Sequence, residues 1–307
     1  MKRRRTRGHV GPRLAALSVL LLAAAAAVLL SNPRHRAFYF SGSGSGTVVR
    51  PSTSAFTVPA PSGLVRASVA PAPVRAVAVT LPGVHVPTPD REGRVLVPVS
   101  DDVPAHLPAS GVPLGWELKE FTGDASVELV RNEGRVALRL RSAGTSFALH
   151  RDVVLDVRQF PSLAWSWKAL RLPVAGDVRD PTHDDQAAQV YVIFPRWPSP
   201  ATASDVIGYV WDSRAPAGTM LRHPRAPNVR IVVLQSGAGR LETWVREQRN
   251  VAEDYRALFG RQPPRLGKVA LMIDSNDTHS EAEALFGDLT FSRPGVAGRE
   301  NPFAMLR

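Results

Sequence analysis

Beyond Arg94 the chain alternates apolar and polar residues in short runs that are separated by turn-forming residues. A period of two is typical of strands that bury one face. The pattern predicts strands over residues 116–121, 126–131, 135–142, 147–155, 162–168, 189–194, 206–211, 229–234, 242–246, 268–273 and 287–291. The two strands beside Asn132-Glu133-Gly134 should form a hairpin, because glycine readily takes the positive φ that such a connection needs.

Two antiparallel sheets packed face to face would bury the apolar side of so many alternating strands. We therefore expect a mostly β fold, a two-sheet antiparallel sandwich of the jelly-roll kind, with one short surface helix. The helix is predicted over residues 250–259, where Asn250 can cap it and Val251 and Tyr255 lie on one side of it. Gly260 can end it.

The N-terminus has a different pattern, in which a basic segment, residues 1–13, precedes an apolar run, residues 14–30. This is the layout of a secretion signal, and a run of about 17 residues reaches the lower limit for crossing a bilayer as a helix. A cleaved signal peptide and a retained signal anchor both fit. Val28, Leu29 and Leu30 continue the apolar run beyond the small residues that a peptidase would cut, which favours the anchor.

The positive-inside rule keeps the basic N-terminus in the cytoplasm. We thus expect a single-pass inner-membrane protein whose folded domain lies in the periplasm or outside the cell. Residues 31–93, rich first in Gly and Ser and then in Pro, predict a disordered linker. The predicted order is basic segment 1–13, transmembrane segment 14–30, linker 31–93, β-sandwich domain 94–292 and tail 293–307.

The charge distribution argues against a nucleic-acid partner. The formal net charge is +11, yet residues 1–40 alone carry eight Lys or Arg and no acid, whereas residues 111–307 carry 25 basic and 23 acidic residues. The basicity therefore belongs to the leader and not to a folded face. The chain has no cysteine, which excludes disulfides, thiolate metal sites, a Cys nucleophile and a lipid-modified Cys.

Five aromatic residues are candidates for ligand binding. Trp165 and Trp167 share one face of their predicted strand, and Tyr209 and Trp211 share one face of theirs, with Trp244 further along the chain. A row of flat rings on an exposed sheet could stack against sugar rings. The alternative is that this face is the core, because a sandwich of this size needs large rings to fill its interior.

Asp184 and Asp185 end an acidic loop that also contains His183. Carboxylates in an irregular loop suit Ca²⁺, and a pair of them could serve as general acid and base. The alternative is that they accept hydrogen bonds from backbone amides or pair with Arg179. Arg249, beside the predicted helix start, could bind an anionic sugar or carboxylate, or it could pair with a nearby acid.

Asp274, Asn276 and Asp277 form a weak candidate metal set. Their spacing resembles the start of a calcium loop, but His279 stands where an EF-hand needs glycine and Leu285 cannot ligate. An EF-hand is thus rejected. A looser Ca²⁺ site and a hydrogen-bonded turn both remain open.

Several motifs occur together in order along the predicted domain: DDQAAQVYVIF at 184–194, YVW at 209–211, WVREQRNV at 244–251, EDY at 253–255 and DSNDT at 274–278. Over residues 115–291 the chain resembles the bacterial domain-of-unknown-function 3047 family. The resemblance implies an architecture like that of galactose-binding jelly rolls, but no settled activity. At Gln189 the chain departs from the Arg that the resemblance implies, which puts an ion pair from that position in doubt.

Three classes of function remain open. The first is a non-catalytic domain that binds a glycan or another polar ligand of the cell envelope. The second is a polysaccharide-acting enzyme that uses the loop carboxylates, which requires that these acids and Trp211 or Trp244 share one cleft. The third is a structural partner in an envelope complex, for which a large exposed apolar patch would speak. No Gly-x-Ser-x-Gly, His-Glu-x-x-His or Walker motif occurs.

Overall fold

The computed structural model describes residues 86–196 and 204–296. The predicted basic and transmembrane segments lie outside these residues, as do the linker up to residue 85 and the tail from residue 297. No helix within the described ranges has both the length and the apolar character needed to cross a membrane.

Two curled sheets build the domain, as the alternating pattern predicts. The first sheet has the strand order β1-β15-β7-β14-β5-β4-β2, and β12 pairs with the free edge of β7. Its strands are β1 (Arg94–Val97), β2 (Ala109–Ser110), β4 (Ser126–Asn132), β5 (Arg135–Ala143), β7 (Ser162–Arg171), β12 (Val245–Asn250), β14 (Glu281–Phe286) and β15 (Leu289–Ser292).

The second sheet has the order β10-β11-β9-β8-β13-β6-β3. Its strands are β3 (Glu117–Thr122), β6 (Ser146–Leu155), β8 (Ala188–Phe194), β9 (Asp205–Asp212), β10 (Met220–Arg222), β11 (Val229–Ser236) and β13 (Leu266–Asp274). The prediction of wholly antiparallel sheets is wrong at one place, because β11 runs parallel to β9. The chain leaves β9, forms β10 as the antiparallel neighbour of β11, and so enters β11 in the direction of β9.

The predicted helix is confirmed as α1 (Val251–Phe259). The side chain of Asn250 accepts the backbone N–H of Glu253, and Gly260 ends the helix with φ 68°. Val251 and Tyr255 are buried, and the hydroxyl of Tyr255 donates to Asp205 at the start of β9. The helix therefore joins the end of the first sheet to the end of the second.

The inner faces of the two sheets form one apolar core. In the second sheet this face is set by alternate positions such as Val190 and Val192 of β8 and Leu271 and Ile273 of β13, all fully buried. The intervening side chains point away from the core.

The outer face of the second sheet is covered unevenly. Over β9 and β11 a second apolar cluster packs beneath the neighbouring loops, with Val178 and Ala215 against Val210 and Val233. Over β8, β13, β6 and β3 the outward side chains include partly buried and exposed ones, up to Phe121 at 52% exposure. This uncovered part of the face is the floor on which a ligand could lie.

Candidate ligand-binding pocket

A pocket of about 220 Å³ lies at the uncovered part of this outer face. Its floor comes from four neighbouring strands, with Phe121 of β3, Ser146 of β6, Met272 of β13 and Tyr191 of β8. Adjacent strands are about 4.8 Å apart, so these four strands span roughly 14 Å. The floor therefore extends across the four strands.

The ring of Tyr191 is fixed in place by its neighbours. A Cβ atom added at Gly208, the cross-strand partner of Tyr191, would lie 2.6 Å from the tyrosine Cε1 atom, so only glycine leaves room for the ring there. The Tyr191 hydroxyl donates to Gln189 Oε1 at 2.6 Å, and Gln189 Nε2 donates to Asp274 Oδ1 at 2.8 Å. Gln189 therefore acts as a neutral bridge, in the position where the family resemblance implies arginine.

Polar side chains from three loops form the remaining wall of the pocket. Asp184 accepts from His223 Nε2 at 2.8 Å and from Arg225 Nη2 at 3.2 Å, and Arg225 also pairs with Asp277. Burial on its own would raise the pKa of Asp184, but the hydrogen bond from His223, with help from Gln186 and Arg225, holds it below its usual value.

The hydrogen bonds of His223 fix its tautomer. Its Nδ1 atom accepts the backbone N–H groups of Arg225 and Ala226, at 3.2 and 3.1 Å. The ring proton must therefore be on Nε2, from which it is donated to Asp184. Neither ring nitrogen is left free to take a proton from a substrate in this arrangement.

Asp185 has a structural role in the pocket wall. It is fully buried, and its two carboxylate oxygens accept the backbone N–H groups of Asp277 and Thr278. These bonds tie the loop before β8 to the loop after β13. Asp184 and Asp185, two of the residues singled out in the sequence, thus converge with Asp274 and Asp277.

Asp274 differs from the other acids of the pocket. It is only 6% exposed, and its Oδ1 atom accepts the backbone N–H of Gln186 at 2.6 Å as well as the Gln189 side chain. Burial is the largest cause that raises its pKa well above the usual value, although the hydrogen bond from Gln186 opposes the rise. The neighbouring carboxylates of Asp185, Asp184 and Asp277 add to it.

Asp274, Asn276 and Asp277, the weak candidate metal ligands, are engaged in hydrogen bonds and an ion pair within the protein. The Asn276 amide donates to Asp277 Oδ1, and the other oxygen of Asp277 pairs with Arg225. Within the described ranges, no group of three or more His, Asp or Glu side chains is placed to hold a metal ion. Ca²⁺ binding stays a prediction that these contacts do not support.

Four of the five aromatic candidates lie inside the sandwich. Trp165 is 3% exposed, and Trp167, Tyr209 and Trp211 are fully buried. The ring centroids of Trp165 and Tyr209 are 5.4 Å apart, and those of Trp167 and Trp211 are 6.2 Å apart, so the two sheets pack through these rings. The prediction of an exposed aromatic row is wrong for these four, and the core alternative is correct.

Trp244 is also outside the pocket. It is partly buried on the outer face of the first sheet, where its Nε1 atom donates to Asn132 at 3.0 Å and Arg135 lies over its ring. The enzyme hypothesis required Trp211 or Trp244 to share a cleft with Asp184 and Asp185. Trp211 is sealed in the core and Trp244 faces the opposite side of the sandwich, so that form of the hypothesis fails.

Arg249 pairs with a nearby acid, which was the alternative to ligand binding. Its Nε atom donates to Asp254 Oδ2 at 3.0 Å, and the Tyr209 hydroxyl donates to the same oxygen at 2.7 Å. The ion pair holds the start of α1 against β12. Arg249 is therefore not part of the pocket.

The residues that give the pocket its shape were not among those predicted from the sequence. Tyr191 and Phe121 could have been found, because each alternates with inward residues of its own strand and must point outward. His223 and Arg225 carry no such signal, since they lie in the β10–β11 connection and only folding brings them to Asp184.

These features define the class of protein as a two-sheet β-sandwich with a polar pocket on the outer face of one sheet. The chain belongs to the family described as "Protein of unknown function (DUF3047)", whose sequence profile matches residues 114–290. No protein of curated function matches the chain.

Three solved structures illustrate what the fold is similar to. The family 11 carbohydrate-binding module of the cellulase Lic26A-Cel5E of Clostridium thermocellum is 7% identical to this chain. The match covers 68% of this chain and 100% of the module, with a TM-score of 0.36. The family 30 carbohydrate-binding module of Cel9D-Cel44B from the same organism is 12% identical, with 66% and 99% covered and a TM-score of 0.34. The xyloglucanase domain of NopAA from Sinorhizobium fredii is 9% identical, with 61% and 96% covered and a TM-score of 0.35. Neither a shared ligand nor a shared activity follows from likeness at this level.

Proposed function

We propose that this domain binds a glycan or another polar ligand of the cell envelope, without catalysis, in the pocket on the outer face of the second sheet. One observation carries the proposal. The pocket combines the exposed ring of Phe121 and the fixed ring of Tyr191 with the hydrogen-bonding groups of Asp184 and Asp274. Sugars present both an apolar ring face and hydroxyl groups, so they match a site of this mixed character.

The size of the pocket fits one small ring-shaped group. Its 220 Å³ is below the roughly 300–1,000 Å³ of sites that enclose drug-sized ligands. The floor nevertheless continues across four strands, which leaves room for further units of a chain to lie outside the pocket. A polymer that inserts one sugar unit into the pocket and lays its other units along the floor agrees with both the pocket volume and the width of the floor.

The hydrogen bonding within the pocket supports binding without catalysis. His223 uses both ring nitrogens, and Asp185 uses both carboxylate oxygens on backbone amides. A general base needs a free lone pair within reach of the proton that it removes. Asp185 is fully buried, and both ring nitrogens of His223 are engaged, so neither residue is placed to remove a proton from a ligand.

A polysaccharide-acting enzyme is the second candidate, and one observation favours it. Asp184 and Asp274 line the same pocket, while their pKa values move in opposite directions. Acid and base pairs are commonly separated in this way. Release of reducing ends from a bound polysaccharide, lost in D184N, would establish the enzyme and contradict binding alone.

A structural partner is less well supported by the described residues. Their exposed large apolar side chains are Val112, Leu114, Phe121, Val174 and Met220. Val112 and Leu114 share the β2–β3 connection, and the other three come from separate loops and strands, whereas a protein interface calls for a contiguous apolar patch.

The location of the domain belongs to the same proposal. The basic and apolar composition of the leader supports a domain on the outer side of the inner membrane, with residues 14–30 as the proposed anchor and residues 31–93 as the proposed linker. A reporter enzyme fused to the C-terminus should be active only outside the cytoplasm. Activity restricted to the cytoplasm would contradict the compartment and, with it, an envelope ligand.

The binding proposal is tested with a glycan array followed by isothermal titration calorimetry on the full-length protein. F121A should weaken the affinity for a bound glycan about fivefold, because losing roughly half of the transfer energy of a ring costs about 1 kcal/mol. L114A is the matched control, since Leu114 is similarly exposed, at 58%, and is not part of the pocket lining. Silence across neutral and acidic envelope glycans, or an equal loss in both variants, would contradict the proposal.

A further inference from the structure

The pocket contains one buried carboxyl group whose two oxygens are in different situations. Asp274 Oδ1 is occupied by two donors, the backbone N–H of Gln186 and the side chain of Gln189. No described residue forms a hydrogen bond with Oδ2, although Asp274 is 94% buried and lines the pocket. The Oδ2 atom is not fully enclosed, so it can form a hydrogen bond with a ligand group that enters the pocket.

Among the described residues, no cation forms an ion pair with this carboxyl group. Arg225 is the guanidinium of the pocket, and it is shared between Asp184 and Asp277. His223 donates to Asp184, and the hydroxyl of Tyr191 donates to Gln189. Each donor near Asp274 is thus directed elsewhere, apart from the two on Oδ1.

The surrounding charges are negative. Asp184 and Asp277 share a single positive charge, and Asp185 lies behind them with its oxygens on backbone amides. A fourth ionised carboxylate in this buried place would be repelled by the other three and poorly solvated. The neutral form of the Asp274 carboxyl group avoids both costs.

We propose that Asp274 binds ligand as an undissociated acid, donating a hydrogen bond from Oδ2 to an uncharged oxygen of a neutral sugar. This inference rests on the proposed function and names its ligand class. Asp184 supplies the complementary acceptor for a sugar hydroxyl. An anionic sugar would instead bring its charge towards two carboxylates that already share one guanidinium, so the pocket selects against uronate and phosphate groups.

The inference is tested by measuring the binding of neutral glycans (maltohexaose, cellohexaose and dextran) and of the anionic glycan polygalacturonate to the full-length protein. D274N retains an acceptor at Oδ1 and replaces the O–H donor with an N–H donor, so it should keep affinity for the neutral ligand to within about threefold. D274A, which removes the donor, should lose at least tenfold. D124N changes an exposed aspartate in the connection between β3 and β4. It is the control, and its affinity should match that of the unaltered protein.

A second measurement is independent of any ligand. The ¹³C chemical shift of the Asp274 carboxyl group, assigned by comparison with D274N, should show the group still protonated at a pH where exposed aspartates have ionised. Titration together with the exposed aspartates would overturn the inference. So would binding of a glycan that falls as far in D274N as in D274A, or that requires added Ca²⁺. Those results would leave glycan binding itself intact, whereas absence of any glycan binding would overturn both proposals.

Discussion

Replacing Asp274 with asparagine should stabilise the protein, by an amount that grows as the pH rises. Asparagine keeps the shape of the side chain and the acceptor for Gln186 and Gln189. It removes the group whose ionisation the folded protein resists. The variant therefore isolates the contribution of this single carboxyl group to the pH dependence of unfolding.

The sign and size follow from proton linkage. In the unfolded chain Asp274 ionises near its ordinary pKa of 3.8, while in the folded protein burial keeps it protonated to a higher pH. Between these two values the native state binds one more proton, so the unfolding free energy falls by about 1.4 kcal/mol per pH unit. This loss begins above pH 3.8 and ends at the folded-state pKa. D274N lacks it, so its advantage should widen by about 1.4 kcal/mol for each pH unit between those two pKa values.

Urea unfolding of the unaltered protein and D274N, at half-unit steps from pH 4.5 to 7, measures this gap. Other titrating groups are common to both proteins and largely cancel in the difference. D124N is the control, because an exposed aspartate should give a gap that stays flat. A flat or narrowing gap for D274N would refute the conclusion that the native state holds this carboxyl group neutral.

Three further changes test other parts of the structure. D254A should cost about 2–3 kcal/mol in urea unfolding, because it leaves the buried Tyr209 hydroxyl without its acceptor; an equal cost in a Y209F background would contradict that explanation. W167A should cost about 3–5 kcal/mol, as expected of a large ring lost from a core; a near-neutral result would mean that Trp167 is not packed between the sheets. G208A should weaken glycan binding measured by calorimetry, because the new Cβ atom must displace the Tyr191 ring; unchanged affinity would remove Tyr191 from the site.

Alternation along the chain was sufficient to find most strands and to predict a two-sheet sandwich. It also grouped Trp165 with Trp167 and Tyr209 with Trp211 correctly, because residues two apart share a face. It could not say which face the other sheet covers. That depends on packing between distant strands, and here the rings meet across the core.

The strands that the pattern missed or misplaced are short or rich in charged residues. In β14, Glu283 faces outward and pairs with Arg141 of β5, so its charge is satisfied by a partner far along the chain. In β12, Val245 is followed by polar residues that lie at the free edge of β7. The parallel pairing of β11 with β9 depends on a crossover, which has no local signature.

The pocket was only partly predictable. Two acidic segments that each lie beside a strand were identified, and the fold does bring Asp184 and Asp274 together. Their chemistry was not predictable, because it depends on Arg225 and His223 from a third segment and on burial. The same residue types in a solvated loop would have had ordinary pKa values.

In the proposed function, the ligand binds on the uncovered outer face of the second sheet. Hydrogen–deuterium exchange of the full-length protein, with and without a glycan that calorimetry shows to bind, maps the contact region most directly. We expect slower exchange at the end of β3, in β8 and around residues 223–226 and 274–277. Protection confined to the outer face of the first sheet, around Trp244 and Arg135, would contradict it.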